Sequence, residues 1–102
     1  MGTVKLKKWD VVEHLKTEDD MALYFEACLA EGDAALIAAA LGDIAKARGM
    51  TQVARDTGLS RESLYKSLSG EGNPEFITIM KVINAMGLKL HAEAVFPAAN
   101  RG

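Results

Sequence analysis

Residues 60–66, Ser-Arg-Glu-Ser-Leu-Tyr-Lys, place two cations, a carboxylate and a phenol within two helical turns. An arginine fork matches the O6 and N7 acceptors of guanine, and a carboxylate accepts from the amino group of cytosine. Read as the start of a helix, the segment therefore offers Ser60, Arg61, Glu62, Tyr65 and Lys66 to base edges. Glu62 has a second role open to it, that of orienting Arg61. Lys66 and Arg55 suit phosphate better than bases. A plain solvated first turn would carry Arg61 and Glu62 equally well, and Ser63 and Tyr65 also fit a helix surface or a packing contact, so the surrounding elements must decide.

Other chemistry has little to work with. The chain has one cysteine, Cys28, and two histidines, His14 and His91, with no P-loop, no glycine-rich dinucleotide signature and no Ser, His and Asp set at recognisable spacing. Cys28 has no partner for an intrachain disulfide, and no cluster of Cys and His has metal-ligand spacing. No catalytic residue, metal or cofactor is expected, and a binding function is favoured over an enzyme.

The elements that would position residues 60–66 are helices. Thr17 can cap one whose first turn holds Glu18, Asp19 and Asp20, acids suited to the positive end of the helix dipole. Met21, Tyr24, Phe25, Cys28 and Leu29 share a face there, and Gly32 ends it. Asp33 caps the next, in which Leu36, Ile37, Ala40, Leu41 and Ile44 recur at helical spacing up to Gly49. Thr51 is expected to cap a short helix ending at Gly58, and Ser60 another running to about Leu68. Ala54 supplies a small side chain where these two helices cross, and Gly58 the positive φ of the turn between them. Val53, Leu59, Leu64 and Leu68 then hold the pair against the rest. Pro74 suits the first position of a last helix that buries Phe76, Ile79, Met80 and Ile83. Residues 88–95 alternate apolar and polar, the period of a half-buried strand. At the start, Val4 and Leu6 alternate with lysines, and Asp10 with Glu13 resembles a capping pair opening a short helix. The tail after Pro97 reads as loose.

With 102 residues, 49% of them hydrophobic and 25% charged, one soluble domain with a single core is expected. A chain this small buries a limited share of its surface, which makes dimerisation through a leftover apolar face a natural source of stability. No run approaches the roughly 18 apolar residues of a membrane span, and residues 1–9 lack the centre of a signal peptide, so a cytoplasmic location is expected. The formal net charge of -2 argues at first against nucleic acid. Its distribution reverses that: residues 9–33 set Lys16 against eight acids, whereas residues 46–66 hold Lys46, Arg48, Arg55, Arg61 and Lys66 against Asp56 and Glu62. Two partners of opposite charge would explain this polarity, and a solvated acidic helix would explain half of it.

The stretch Gln-Val-Ala-Arg-Asp-Thr-Gly-Leu-Ser-Arg-Glu-Ser-Leu-Tyr-Lys-Ser-Leu, 52–68, resembles the helix-turn-helix of phage repressors and Cro proteins, the Xre type. The longer run through Gly-Asp-Ala-Ala-Leu-Ile-Ala-Ala-Ala-Leu-Gly-Asp-Ile-Ala-Lys-Ala-Arg-Gly-Met, Gly-Asn-Pro-Glu-Phe and Leu-Lys-Leu-His is similar to HigA-like addiction-module antidotes over about residues 9–95. Thr51 and Gln52 stand closer to Ala54 than the usual Thr-Gln does to its alanine, which shortens the first helix of the motif. The resemblance implies a mostly α, lambda-repressor-like domain of four to six helices with a short C-terminal β-strand. It also implies an antitoxin that represses its own operon and neutralises a RelE/ParE-type toxin, with Gln52 added to the DNA-contacting residues.

On this reading, residues 1–32 carry the acidic helix and a toxin-binding region, 33–87 the DNA-binding domain, and 88–102 a strand and tail for dimerisation. A two-fold dimer would set its reading helices about 34 Å apart, one turn of duplex DNA. A free-standing prophage-type regulator without a toxin fits the same motif, as does a fold of this kind used only for protein interaction. A neighbouring basic reading frame would separate the first, and salt-dependent DNA binding the second.

Overall fold

Six helices make up the computed structural model, which describes the backbone of residues 8–95 and the side-chain surroundings of residues 11–95. They are α1 (Lys8–His14), α2 (Glu18–Glu31), α3 (Ala34–Arg48), α4 (Met50–Thr57), α5 (Arg61–Ser67) and α6 (Phe76–Ala85). The mostly helical expectation holds. The strand-like stretch around Val4 and Leu6 and the tail after Pro97 lie outside the described residues.

Helix α3 is the axis of the assembly and packs against each of the other five. Its sequence explains why. Ala40, Leu41, Ile44 and Ala45 are fully buried, and Ala38 nearly so, leaving few polar positions to face water. A helix apolar on most sides must be enclosed, and its alanines let neighbours approach closely. Around it gather Met21, Phe25 and Cys28 from α2, Val53 from α4, Leu64 and Leu68 from α5 and its end, and Val82, Ile83 and Met86 from α6 and its end. Each large side chain so enclosed contributes about 1.5–3 kcal/mol.

Local chemistry sets most helix ends where they were expected. Thr17 Oγ1 accepts the Asp20 N–H at 3.0 Å, while the Asp20 carboxylate accepts the Thr17 N–H at 3.0 Å and the Lys16 N–H at 3.1 Å, closing a capping box. Asp33 Oδ1 accepts from Ala35 and Leu36 at the start of α3. Gly58 ends α4 with φ 76°, a left-handed backbone that a side chain would strain.

Five expectations need correction. Thr51 does not cap α4: Gly49, with φ 110°, is at once the last cap of α3 and the first of α4, because Met50 is drawn into the core and starts the helix two residues early. Asp10 is not the start of α1, which already begins at Lys8. Pro74 is not at the first helical position, since Glu75 stays extended and occupies the position before α6 without a side-chain cap bond. Phe76 is 72% exposed, because the core-facing stripe of α6 runs instead through Ile79, Met80, Val82 and Ile83 to Met86. Finally, residues 88–95 form no strand, and none occurs among the described residues. Leu88 donates its N–H to the Ile83 carbonyl at 3.1 Å and packs on the core, but the segment beyond it meets no second strand. Alternation alone does not make a strand without a ladder partner.

Candidate nucleic-acid interface

The connection between α4 and α5 is short and tightly tied. The Gly58 N–H donates to Ala54 O at 2.9 Å, and the Thr57 hydroxyl donates to Val53 O at 2.8 Å while accepting the Leu59 N–H at 3.2 Å. Thr57 therefore stitches the turn from both sides, a role its place in the sequence did not disclose. Ser60 then caps α5 through its Oγ, which accepts the Ser63 N–H at 3.0 Å and donates to the Ser63 hydroxyl at 3.0 Å. The single-turn spacing of Leu64 and Leu68 presses this helix onto the core, where Leu64 is fully buried and Leu68 4% exposed.

With α5 held this way, Arg61, Glu62 and Lys66 are exposed, as is Ser60, and Tyr65 is 44% exposed. Among the described residues Arg61, Glu62 and Lys66 have no ion-pair partner, so Glu62 does not hold the Arg61 guanidinium. Gln52 and Arg55, on α4, are exposed too, but they engage each other. Arg55 Nη1 donates to Gln52 Oε1 at 3.4 Å, and Gln52 Nε2 donates to Asp56 Oδ1 at 2.9 Å. The structure thus brings Arg61, Glu62, Tyr65 and Lys66 together on one short helix with Ser60 as its cap, and leaves Gln52 and Arg55 on its neighbour inside a small polar chain.

Lys46, in the last turn of α3, joins them from a distance in sequence. Its Nζ lies 5.8 Å from the centroid of the Tyr65 ring, within the range of a cation–π contact. The two side chains line a cavity of about 170 Å³ with Gly42, Met50, Leu64 and Leu68. Lys46 counts toward the basic stretch, but nothing in linear spacing pairs it with Tyr65. Gly42 is equally hidden: a Cβ there would stand 2.5 Å from the Leu68 carbonyl oxygen, so α5 ends directly on the bare backbone of α3.

Cys28 is buried, and burial pushes its thiol up, away from the thiolate form. Burial, together with the hydrogen bond that its hydroxyl donates to Asp43 Oδ2 at 2.8 Å, likewise raises Tyr24 above the ordinary tyrosine range. Among the described residues no three of His, Cys, Asp and Glu are grouped to hold a metal, and no helix is long and apolar enough to cross a membrane.

Comparison with known proteins adds a family. A family model described as "Probable addiction module antidote protein" matches residues 5–94. An uncharacterized protein of Haemophilus influenzae is 53% identical over 91 residues, which span 89% of this chain and 94% of the relative. No solved structure matches. With nearly the whole length of the chain covered by that model, the chain belongs to the family of probable addiction module antidote proteins.

Proposed function

We propose that this protein is the antidote of a toxin–antidote pair and that it also binds the DNA of its own operon, using α4 and α5 as a helix-turn-helix of the Xre type. Membership of the antidote family supports the first half and implies a cognate toxin. The RelE/ParE type of that toxin is taken from the likeness to HigA-like antidotes. The division of labour follows the charge, with residues 33–87 for DNA, residues 1–32 for the toxin, and a two-fold dimer binding inverted half-sites.

One observation carries the DNA half. Leu64 and Leu68 fix α5 to the core while Arg61, Glu62, Tyr65 and Lys66 stand exposed on the same two turns. A helix anchored on one side and carrying a guanidinium, a carboxylate and an ammonium elsewhere is equipped to enter a major groove, with Arg61 on guanine and Lys66 and Arg55 on phosphate.

The test is titration of the full chain against labelled DNA from upstream of its own gene, at several salt concentrations. The association constant should fall steeply with salt, by a log–log slope of about 0.9 per phosphate contacted. Arg61→Ala should weaken operator binding by about 1–3 kcal/mol and relax the preference at one base pair. Salt-independent binding, or an Arg61→Ala variant with unchanged affinity, refutes the assignment. The antidote half is tested by co-expression with the product of the neighbouring gene, which should arrest growth alone and lose that effect beside this chain.

A further inference from the structure

Away from α4 and α5, the surface has an apolar opening between α1 and α2, a cavity of about 280 Å³ lined by Val11, His14, Leu15, Asp20, Leu23 and Tyr24. Leu15 is buried and Val11 and Tyr24 half-buried, but Leu23 is 67% exposed at the edge, although α2 already turns Met21, Phe25 and Cys28 to the core. Leu23 has no task in folding that its position reveals. It continues along α2 into Ala27 and Ala30, both exposed and both on the same face at helical spacing. These small side chains let another backbone lie close.

The rim decides what can lie there. Asp19 and Glu26 fall on that same face and Glu31 follows at its end, all exposed and, among the described residues, without an ion-pair partner. Three further acids are engaged: Glu18 faces Arg48 of α3 at 3.5 Å, Asp20 closes the capping box, and Asp33 caps α3. An apolar groove edged by exposed carboxylates repels nucleic acid and anionic lipid alike. It suits a polypeptide with an apolar side chain to fill the cavity and cations to meet Asp19 and Glu26.

We infer that the α1–α2 groove, with Leu23 at its edge, docks a basic amphipathic segment of a partner protein, laid along the Leu23, Ala27 and Ala30 face of α2. Helix-in-groove recognition of this kind uses apolar anchors at helical spacing for affinity. None of the residues lining the groove belongs to α4 or α5, so an occupant leaves α5 accessible. Identifying the segment as part of the toxin rests on the antidote reading. The groove and its chemistry do not.

The test uses the isotope-labelled full chain titrated by NMR with a synthetic helical peptide bearing leucines at i, i+3, i+4 and i+7 and lysines elsewhere, and with its counterpart in which glutamates replace the lysines. The lysine peptide should shift amides of residues 11–15 and 19–30 and leave residues 61–67 unmoved, and the glutamate peptide should shift neither. Leu23→Lys, on an exposed side chain, should keep the dispersed spectrum of the fold and weaken the lysine peptide at least tenfold; Glu26→Lys should weaken it as well. Absence of binding, shifts centred elsewhere, equal binding of the glutamate peptide, or undiminished binding by Leu23→Lys each overturns the proposal. Failure of the wild-type chain to protect cells from its neighbour's product would instead sink the antidote reading, a result independent of this titration.

Discussion

Replacing Gly42 by alanine sets two effects of opposite sign against each other. Alanine inside a helix is favoured over glycine by about 0.5–1 kcal/mol, so α3 alone would gain. The new methyl, however, would sit 2.5 Å from the Leu68 carbonyl oxygen and 3.3 Å from the Leu68 Cβ. Carbon–oxygen contacts in proteins lie at about 3.3 Å or beyond, so the end of α5 must retreat by roughly 0.8 Å. Its freedom to do so is small: Leu68 is 4% exposed and donates its N–H to Leu64 O at 2.9 Å, and Leu64 is fully buried. Overpacking of this kind costs about 1–3 kcal/mol, and a backbone obstacle lies toward the upper end because it has no alternative rotamer. The clash therefore wins, with a net loss of about 1–2 kcal/mol. For a domain of this size each kcal/mol moves the midpoint by about 4–8 °C, so Gly42→Ala should melt roughly 4–16 °C lower. Circular dichroism melts and urea titrations of the two proteins measure it. A midpoint equal to or above that of the parent would mean that helix preference prevails and that α5 is not seated on Gly42.

Tyr24→Phe removes the donor to Asp43 Oδ2, a carboxylate on a residue only 3% exposed, and should lower stability by about 1–3 kcal/mol in urea unfolding; an unchanged midpoint would show that the contact contributes nothing. Asp20 is held below its ordinary value of 3.8, chiefly by the Thr17 N–H and next by the Lys16 N–H, so its ionised form is favoured in the fold. Its contribution is complete above that pH and is lost as pH falls through the lowered folded value; Asp20→Asn should show a shallower acid loss of stability than the parent, and identical acid profiles would refute this. Lys46 lies over Tyr65 beside α5, and the DNA-binding proposal would make it a phosphate contact. Lys46→Gln should then weaken all DNA sequences alike and reduce the salt slope by about 0.9, whereas an unaltered slope removes Lys46 from the interface.

Features that depend on neighbours a few residues away were legible in the residues alone. The Thr17, Asp33 and Ser60 caps are side chains satisfying N–H groups two or three positions on, and Gly58 answers a local need for positive φ. The core stripe of α3 and the anchoring of α5 by Leu64 and Leu68 follow from helical period, which is equally local. The exposure of Arg61, Glu62 and Lys66 was legible for the same reason: once Leu64 and Leu68 are buried, their neighbours on the helix have nowhere else to go. Local preference misled where distant contacts prevailed. Met50, pulled into the core, overrode the Thr51 cap, and residues 88–95 alternate like a strand but find no second edge to pair with. Only the tertiary structure brought Lys46 over Tyr65, set Leu68 on Gly42 and opened the groove beside Leu23, because these depend on how α1, α2 and α5 each lie against α3. Such contacts join residues far apart in the chain, and periodicity along one helix carries no information about which face of another it will meet.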